Sequence, residues 1–194
     1  MSVIAQDVAG VLVEIAPLSS GVPGDQLGFV YGNPQTPVRG VGCVWCCHTA
    51  SIRDCANRGL TMIICHEALW LPAQDSPWYQ GPDEDEIHAN LVRRRLLAEH
   101  GMVVYRSHSN WDAVPKIGIA DSAVAALHLE GPREVARQKY FGVQELPREM
   151  TVRELQQKTE KGLGYGSSRL FGNPEKRIRR FAFLIGGFGE NQFH

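Results

Sequence analysis

No long apolar run occurs in this sequence. No stretch approaches the ~20 consecutive apolar residues that a membrane-spanning helix needs. A secretory leader is not expected either: the N-terminus has no basic segment, and Asp7 and Glu14 interrupt its apolar residues. Excess charge of one sign is also missing. Twenty Lys and Arg face 21 Asp and Glu, a net charge of −1, so no bulk pull toward nucleic acid or anionic membrane is expected. The arginines of Arg93-Arg94-Arg95 and Arg177-Ile178-Arg179-Arg180 are local, and we read them as solvated faces. Five cysteines are an odd number for a disulfide framework, which points to reduced thiols and a cytoplasmic location. The G-x-G-x-x-G fingerprint and a P-loop lysine are absent. Gly186-Gly187-Phe188-Gly189 therefore reads as a tight strand-to-helix turn.

What is present is ordinary globular material: 43% hydrophobic and 21% charged residues over 194 positions, enough for one or two domains with a core. Ile4, Val8, Val11, Leu12 and Ile15 fall at helical spacing and stop at Pro17. Strands are expected near Leu27–Tyr31, at Val41–Cys46, Thr61–Cys65 and Met102–Tyr105, and at Phe181–Ile185. Helices are expected from a capping box at Ser51-Ile52-Arg53-Asp54 to Gly59, from Asp83 to Glu99, over Ile119–Leu127, and from a second capping box, Thr151-Val152-Arg153-Glu154, to Gly162. Leu71–Pro82 reads as a loop rich in Trp and Pro. Glu130–Met150 has weak periodicity and reads as a connector. The alternation of strands and helices predicts an α/β fold, a mainly parallel sheet flanked by helices.

An internal echo runs through the chain. Gly32-Asn33-Pro34 and Gly172-Asn173-Pro174 each precede an arginine, Arg39 and Arg179, by the same five positions from the proline. A helix precedes each unit and a strand follows each arginine. This predicts a duplicated α/β module whose second half is incomplete. The expected organisation is a first module with the ligand loops over residues 1–130, a connector over 131–150 and the start of a second module over 151–194.

Chemistry concentrates where two buried strands end. Thr61–Cys65 runs into His66-Glu67, and Met102–Tyr105 runs into Arg106-Ser107-His108 and then Asp112. Ligands of open α/β sheets bind beyond the carboxyl ends of the strands. His66 and Glu67 can serve one site only because the strand has ended, since neighbours on a regular strand face opposite ways. The apolar exit Leu69-Trp70-Leu71-Pro72 would dry such a site. His108 and Asp112, four apart on a loop, suit a divalent ion such as Zn, Mn, Fe or Mg, or else form a hydrogen bond that pins the loop. Cys43-Val44-Trp45-Cys46 matches C-x-x-C weakly, because an odd separation on a strand sends the sulfurs to opposite faces. Cys46-Cys47-His48 reads as core thiols, and nothing near Cys65 activates it. His88, His100, His128 and His194 read as surface or packing residues.

The motifs around these residues resemble the Nif-three-like (NGG1p-interacting factor 3-like) family, also called type 2 homologues of GTP cyclohydrolase I. Asp25-Gln26-Leu27-Gly28-Phe29-Val30-Tyr31-Gly32 is similar to the family's DNxGLxxG segment. Ile63-Ile64-Cys65-His66-Glu67-Ala68-Leu69 is similar to IITHHPL. The run Val104–Pro115, with Asp121 after it, is similar to VYxxHTNxDAxPxGxxD. The resemblance covers nearly the whole chain. It implies a dinuclear metal site of up to two divalent ions, with His66 and Asp112 as ligands and Glu67 where the family has a second histidine. His108 matches a site histidine, so Glu67 or His108 would move protons. The family completes its site with a C-terminal H-x-x-x-E pair, which this sequence does not reach. Two facing α/β halves and ring-shaped hexamers are further implications.

The resulting expectation is a metal-dependent, cyclohydrolase-like hydrolase. Its substrate would be small and nucleotide-like, and the chain would form a homo-oligomer with neither membrane nor specific nucleic acid as partner. The alternatives are a metal-binding regulatory or interaction protein without turnover, and an inactive remnant.

Overall fold

The computed structural model describes residues 2–71, 84–129, 131–138 and 140–185. The expected glycine turn at 186–189 and most of the Leu71–Pro82 loop lie outside these residues. The chain divides into two compact units, Met1–Trp111 and Asp112–His194.

The first unit is a four-stranded sheet with helices on both faces. Its strands are β1 (Gly28–Tyr31), β2 (Val41–Val44), β3 (Met62–Cys65) and β4 (Val103–Arg106), in the order β1-β4-β3-β2. The last three run parallel, and β1 is antiparallel to β4. The predicted parallel-rich α/β layout is therefore the observed one. Successive side chains along β3 and β4 leave on opposite faces and enter separate cores. Met62, Val103 and Tyr105 pack with Ala5 and Ala9 of α1 (Ala5–Ile15). Ile63, Cys65 and Val104 pack with Ile52 and Cys55 of α2 (Thr49–Asn57) and with Leu96 and Leu97 of α3 (His88–Glu99). Burial on both faces explains why β3 and β4 are continuous apolar runs. Each fully buried Ile or Leu contributes about 1.5–3 kcal/mol.

Two expectations change here. The second helix starts at Thr49, with His48 at its N-cap position and no side-chain cap, so Ser51 lies inside it. Arg93 is buried: its guanidinium donates to the Leu69 carbonyl at 2.6 Å. Beside it, the Asn90 side chain takes both the N–H and the carbonyl of Leu71. The exit from β3 is thereby fastened to α3. Arg94 lies over the Trp70 ring at 4.7 Å and pairs with Asp85 at 2.8 Å, and Arg95 keeps the exposed i,i+4 pairing with Glu99.

In the second unit the short helix α5 (Ile119–Ala126) precedes an antiparallel sheet, ordered β5-β6-β7. Its strands are β5 (Arg133–Gln138), β6 (Phe141–Thr151) and β7 (Arg177–Leu184), and α6 (Val152–Leu163) links the last two. The segment read as a connector is thus a hairpin. Its buried alternate positions are Gly142, Gln144 and Leu146, which hides the period-two apolar signal of a half-buried strand. Pro147 falls where the register of β6 against β7 slips, between Glu145 and Met150, the kind of irregularity that tolerates a proline.

The internal echo is structural. The Asn33 side chain accepts from the Gln35 N–H at 2.9 Å, and the Asn173 side chain accepts from the Glu175 N–H at 3.0 Å. At the start of α1, Ala5 and Gln6 donate to the carbonyls of Thr36 and Pro34; at the start of α6, Val152 and Arg153 donate to those of Lys176 and Pro174. Ile4 bridges Pro37, as Thr151 pairs with Arg177. Each helix start is also closed by an acid three residues on, Asp7 on the Ile4 N–H and Glu154 on the Thr151 N–H. Gly32 and Gly172 adopt positive φ, 85° and 104°.

Candidate metal centre

The register of the parallel strands sets the rim. Val44 pairs with Cys65, and Cys65 with Arg106, so these three strands end level with one another. The next residues, Trp45, His66 and Ser107, leave side by side. His66 and Glu67 are anchored there by their N–H groups, which donate to the Trp45 carbonyl at 3.1 and 2.9 Å. The Ser107 N–H donates to the Cys65 carbonyl, so the two strand exits are tied together by backbone.

After Ser107, His108 leads into the helix α4 (Ser109–Asp112), which carries Asp112 in its last position. His66, His108 and Asp112 each offer one ligand atom, all within 4.8 Å of one another. Among the described residues this is the one such group. Glu67 is not in it, although its charge acts on His66. The two imidazole rings meet edge to face, with centroids 4.7 Å apart. Two nitrogens and one carboxylate oxygen are a donor set that suits Zn, Fe or Mn.

Both rings are held from behind. His66 Nδ1 lies 3.1 Å from the Ser107 carbonyl, and His108 Nδ1 lies 2.8 Å from Asp25 Oδ2. Burial, followed by the neighbouring His108, lowers the pKa of His66 below the usual histidine value, which favours the neutral, ligating form. For Asp25, burial alone would raise the pKa. Hydrogen bonds from Ser109 and His108, with the Arg106 charge, outweigh it and bring the carboxyl to about 2. Asp25 sits in the Gly/Pro/Ser loop before β1. It opens the segment Asp25–Gly32, whose motif resemblance assigns it no role. A lone acid in such a loop has no local signature, and its partners lie more than 80 positions further on.

The cysteines do not join the group. Cys47 and Cys65 are core residues, and burial pushes their thiols up to about 12 and about 11. No helix among the described residues is long and apolar enough to cross a membrane.

Fold and site together define an α/β protein with a His/His/Asp cluster at the carboxyl ends of parallel strands. The sequence model of the Duf34/NIF3 (NGG1p interacting factor 3) family matches residues 3–194, and the chain belongs to that family. It is 25% identical over 201 residues to a GTP cyclohydrolase 1 type 2 homolog of Clostridium acetobutylicum, covering 100% of this chain and 71% of the relative. A protein of the same description from Clostridium perfringens is 24% identical, covering 96% and 70%. Among solved structures, the Staphylococcus aureus hypothetical protein SA1388 superposes with a TM-score of 0.79 at 18% identity, covering 98% of this chain and 74% of that one. A Bacillus cereus protein related to NIF3 gives 0.78 at 14% identity, covering 96% and 77%. These structures establish the fold.

Proposed function

We propose that the protein is a metal-dependent hydrolase of small, nucleotide-like substrates, with His66, His108 and Asp112 as the donors to a divalent ion. The supporting observation is the convergence of these three side chains at the exits of two adjacent parallel strands. A divalent ion held there would polarise a substrate oxygen and acidify water toward a pKa of about 7. The chain's own residues supply the rest. Burial favours the neutral, ligating form of His66, and His108 brings its ring to the same point. Glu67, next in sequence to His66 and tied by its N–H to the Trp45 carbonyl, would accept a proton or join a second ion. An oxygen donor at that position favours harder ions than a nitrogen would. Assembly into a ring-shaped homo-oligomer belongs to the same proposal.

Elemental analysis of the purified protein tests the reading, followed by an assay for turnover of GTP, the nucleotide that appears in the name of the Clostridium relatives. About two ions per chain support the dinuclear form. One weakly held ion with no turnover favours a metal-binding regulatory protein instead. His66→Ala and Asp112→Asn should each strip metal while circular dichroism stays unchanged. Undiminished metal in both variants would refute the site.

A further inference from the structure

Two buried charges lie behind the cluster and take no part in the proposed chemistry. The side chains of Asp25 and Arg106 are each only 5% exposed. Burying an ion pair costs several kcal/mol per ion, and an apolar pair of the same volume is often the more stable choice. The hydrogen bonds show what the pair does in return. Arg106 Nη1 donates to Asp25 Oδ1 at 2.5 Å and to the Gln26 carbonyl at 2.9 Å. Arg106 Nε donates to the carbonyl of His66 at 3.0 Å. The other carboxylate oxygen of Asp25 accepts from His108 Nδ1 at 2.8 Å, from the Ser109 N–H at 3.3 Å and from the Ser109 hydroxyl. The pair therefore spans from the backbone of one candidate ligand to the ring of the other.

An ionised carboxylate only accepts hydrogen bonds. A neutral His108 must then carry its proton on Nδ1 and leave the Nε2 lone pair bare. The Ser107 carbonyl imposes the same choice on His66. Outer partners of this kind fix the tautomer and aim of a ligating imidazole, and their loss typically weakens metal affinity 10–100-fold.

We infer that Asp25 is a positioning residue for the metal centre: it sets the Nδ1–H tautomer of His108, while Arg106 ties Asp25 to the loop that bears His66. The inference rests on the metal reading above only for its consequence. The tautomer itself belongs to the metal-free protein.

The experiment is long-range 1H–15N NMR of the histidine rings in the metal-free chain at about pH 8, above the ordinary histidine pKa. His108 of the wild type should show a protonated Nδ1. Asp25→Asn should shift it toward the Nε2–H form, because the amide can now donate to Nδ1. It should also raise the dissociation constant for Zn2+ by about 10–100-fold, and Asp25→Glu should restore much of both. A purely structural role would change stability without moving the tautomer. A wild-type His108 in the Nε2–H form overturns the inference whether or not the variants fold. An unchanged tautomer in a folded Asp25→Asn also overturns it. If the wild type shows the Nδ1–H form and binds no metal, the positioning stands and the metal reading fails.

Discussion

The Trp45 indole stacks on the His66 imidazole, with ring centroids 4.1 Å apart and planes 25° from parallel. Trp45 is 57% exposed, so it holds this position through the stack and its backbone rather than through burial. An indole in van der Waals contact with a candidate ligand reports on that ligand's electronic state.

Metal binding at His66 should therefore change tryptophan emission. Titration of the metal-free protein with Zn2+ is expected to quench or shift the fluorescence in step with bound metal. Trp45→Phe should remove most of that change while elemental analysis still finds metal. A full signal in Trp45→Phe would overturn Trp45 as the reporter and assign the change to another of the four tryptophans, such as Trp111 beside Asp112.

The repeated Gly-Asn-Pro turns should differ in their tolerance of a side chain. A Cβ at Gly32 would lie 2.7 Å from the Met102 carbonyl oxygen and 2.9 Å from the Val103 Cα, whereas one at Gly172 meets nothing within 4 Å. Both carry the cost of positive φ, about 1–3 kcal/mol. Gly32→Ala should lose about 1–3 kcal/mol more than Gly172→Ala through overpacking. Urea unfolding of the two variants checks the order, and equal losses would contradict the close approach of this turn to β4.

The α6 start should be acid-sensitive. Hydrogen bonding from the Thr151 N–H lowers the Glu154 carboxyl below its usual 4.5. A depressed folded-state pKa gives stability that is present above 4.5 and lost as pH falls through the lower folded value. Glu145 behaves alike, held down chiefly by Arg133. Glu154→Gln should flatten the fall in α6 helicity below pH 4.5. Thr151→Ala should cost about 1 kcal/mol at neutral pH. Circular dichroism melts across this range measure both.

Thiol reactivity should follow burial. Cys43 is exposed, whereas Cys47 and Cys65 are buried thiols raised to about 12 and about 11. Iodoacetamide at about pH 8 should modify Cys43 first, with Cys46, whose thiol burial also raises, behind it. Cys47 and Cys65 should react only on unfolding, as mapped by mass spectrometry. Early labelling of Cys65 would show that the rim opens.

The parts of this fold legible in the sequence are those with one strong local cause. Ile63, Ile64, Val103 and Val104 sit in strands covered on both faces, so their apolar runs stand out. Their adjacency then follows from the parallel alternation of strands and helices. The Thr151–Glu154 box was legible because both capping partners lie within four residues. The hairpin around Phe141 was not, since its inward positions include Gly142 and Gln144. Arg93 looked like a surface charge because its acceptor is the backbone carbonyl of Leu69, which carries no residue signature. At the centre, His66, Glu67, His108 and Asp112 could be named from chain order, and all but Glu67 converge. Asp25 and Arg106 could not, because their pairing depends on which loop folds over which strand end.

The level ending of β2, β3 and β4 makes the donor group a product of alignment as well as of residue identity. A one-residue slip of β3 against its neighbours would move His66 along the strand axis by about 3.3 Å and turn it to the other face. A single inserted or deleted residue between Thr61 and Cys65 would thus disable the centre as surely as replacing the histidine, with every donor still present in the chain.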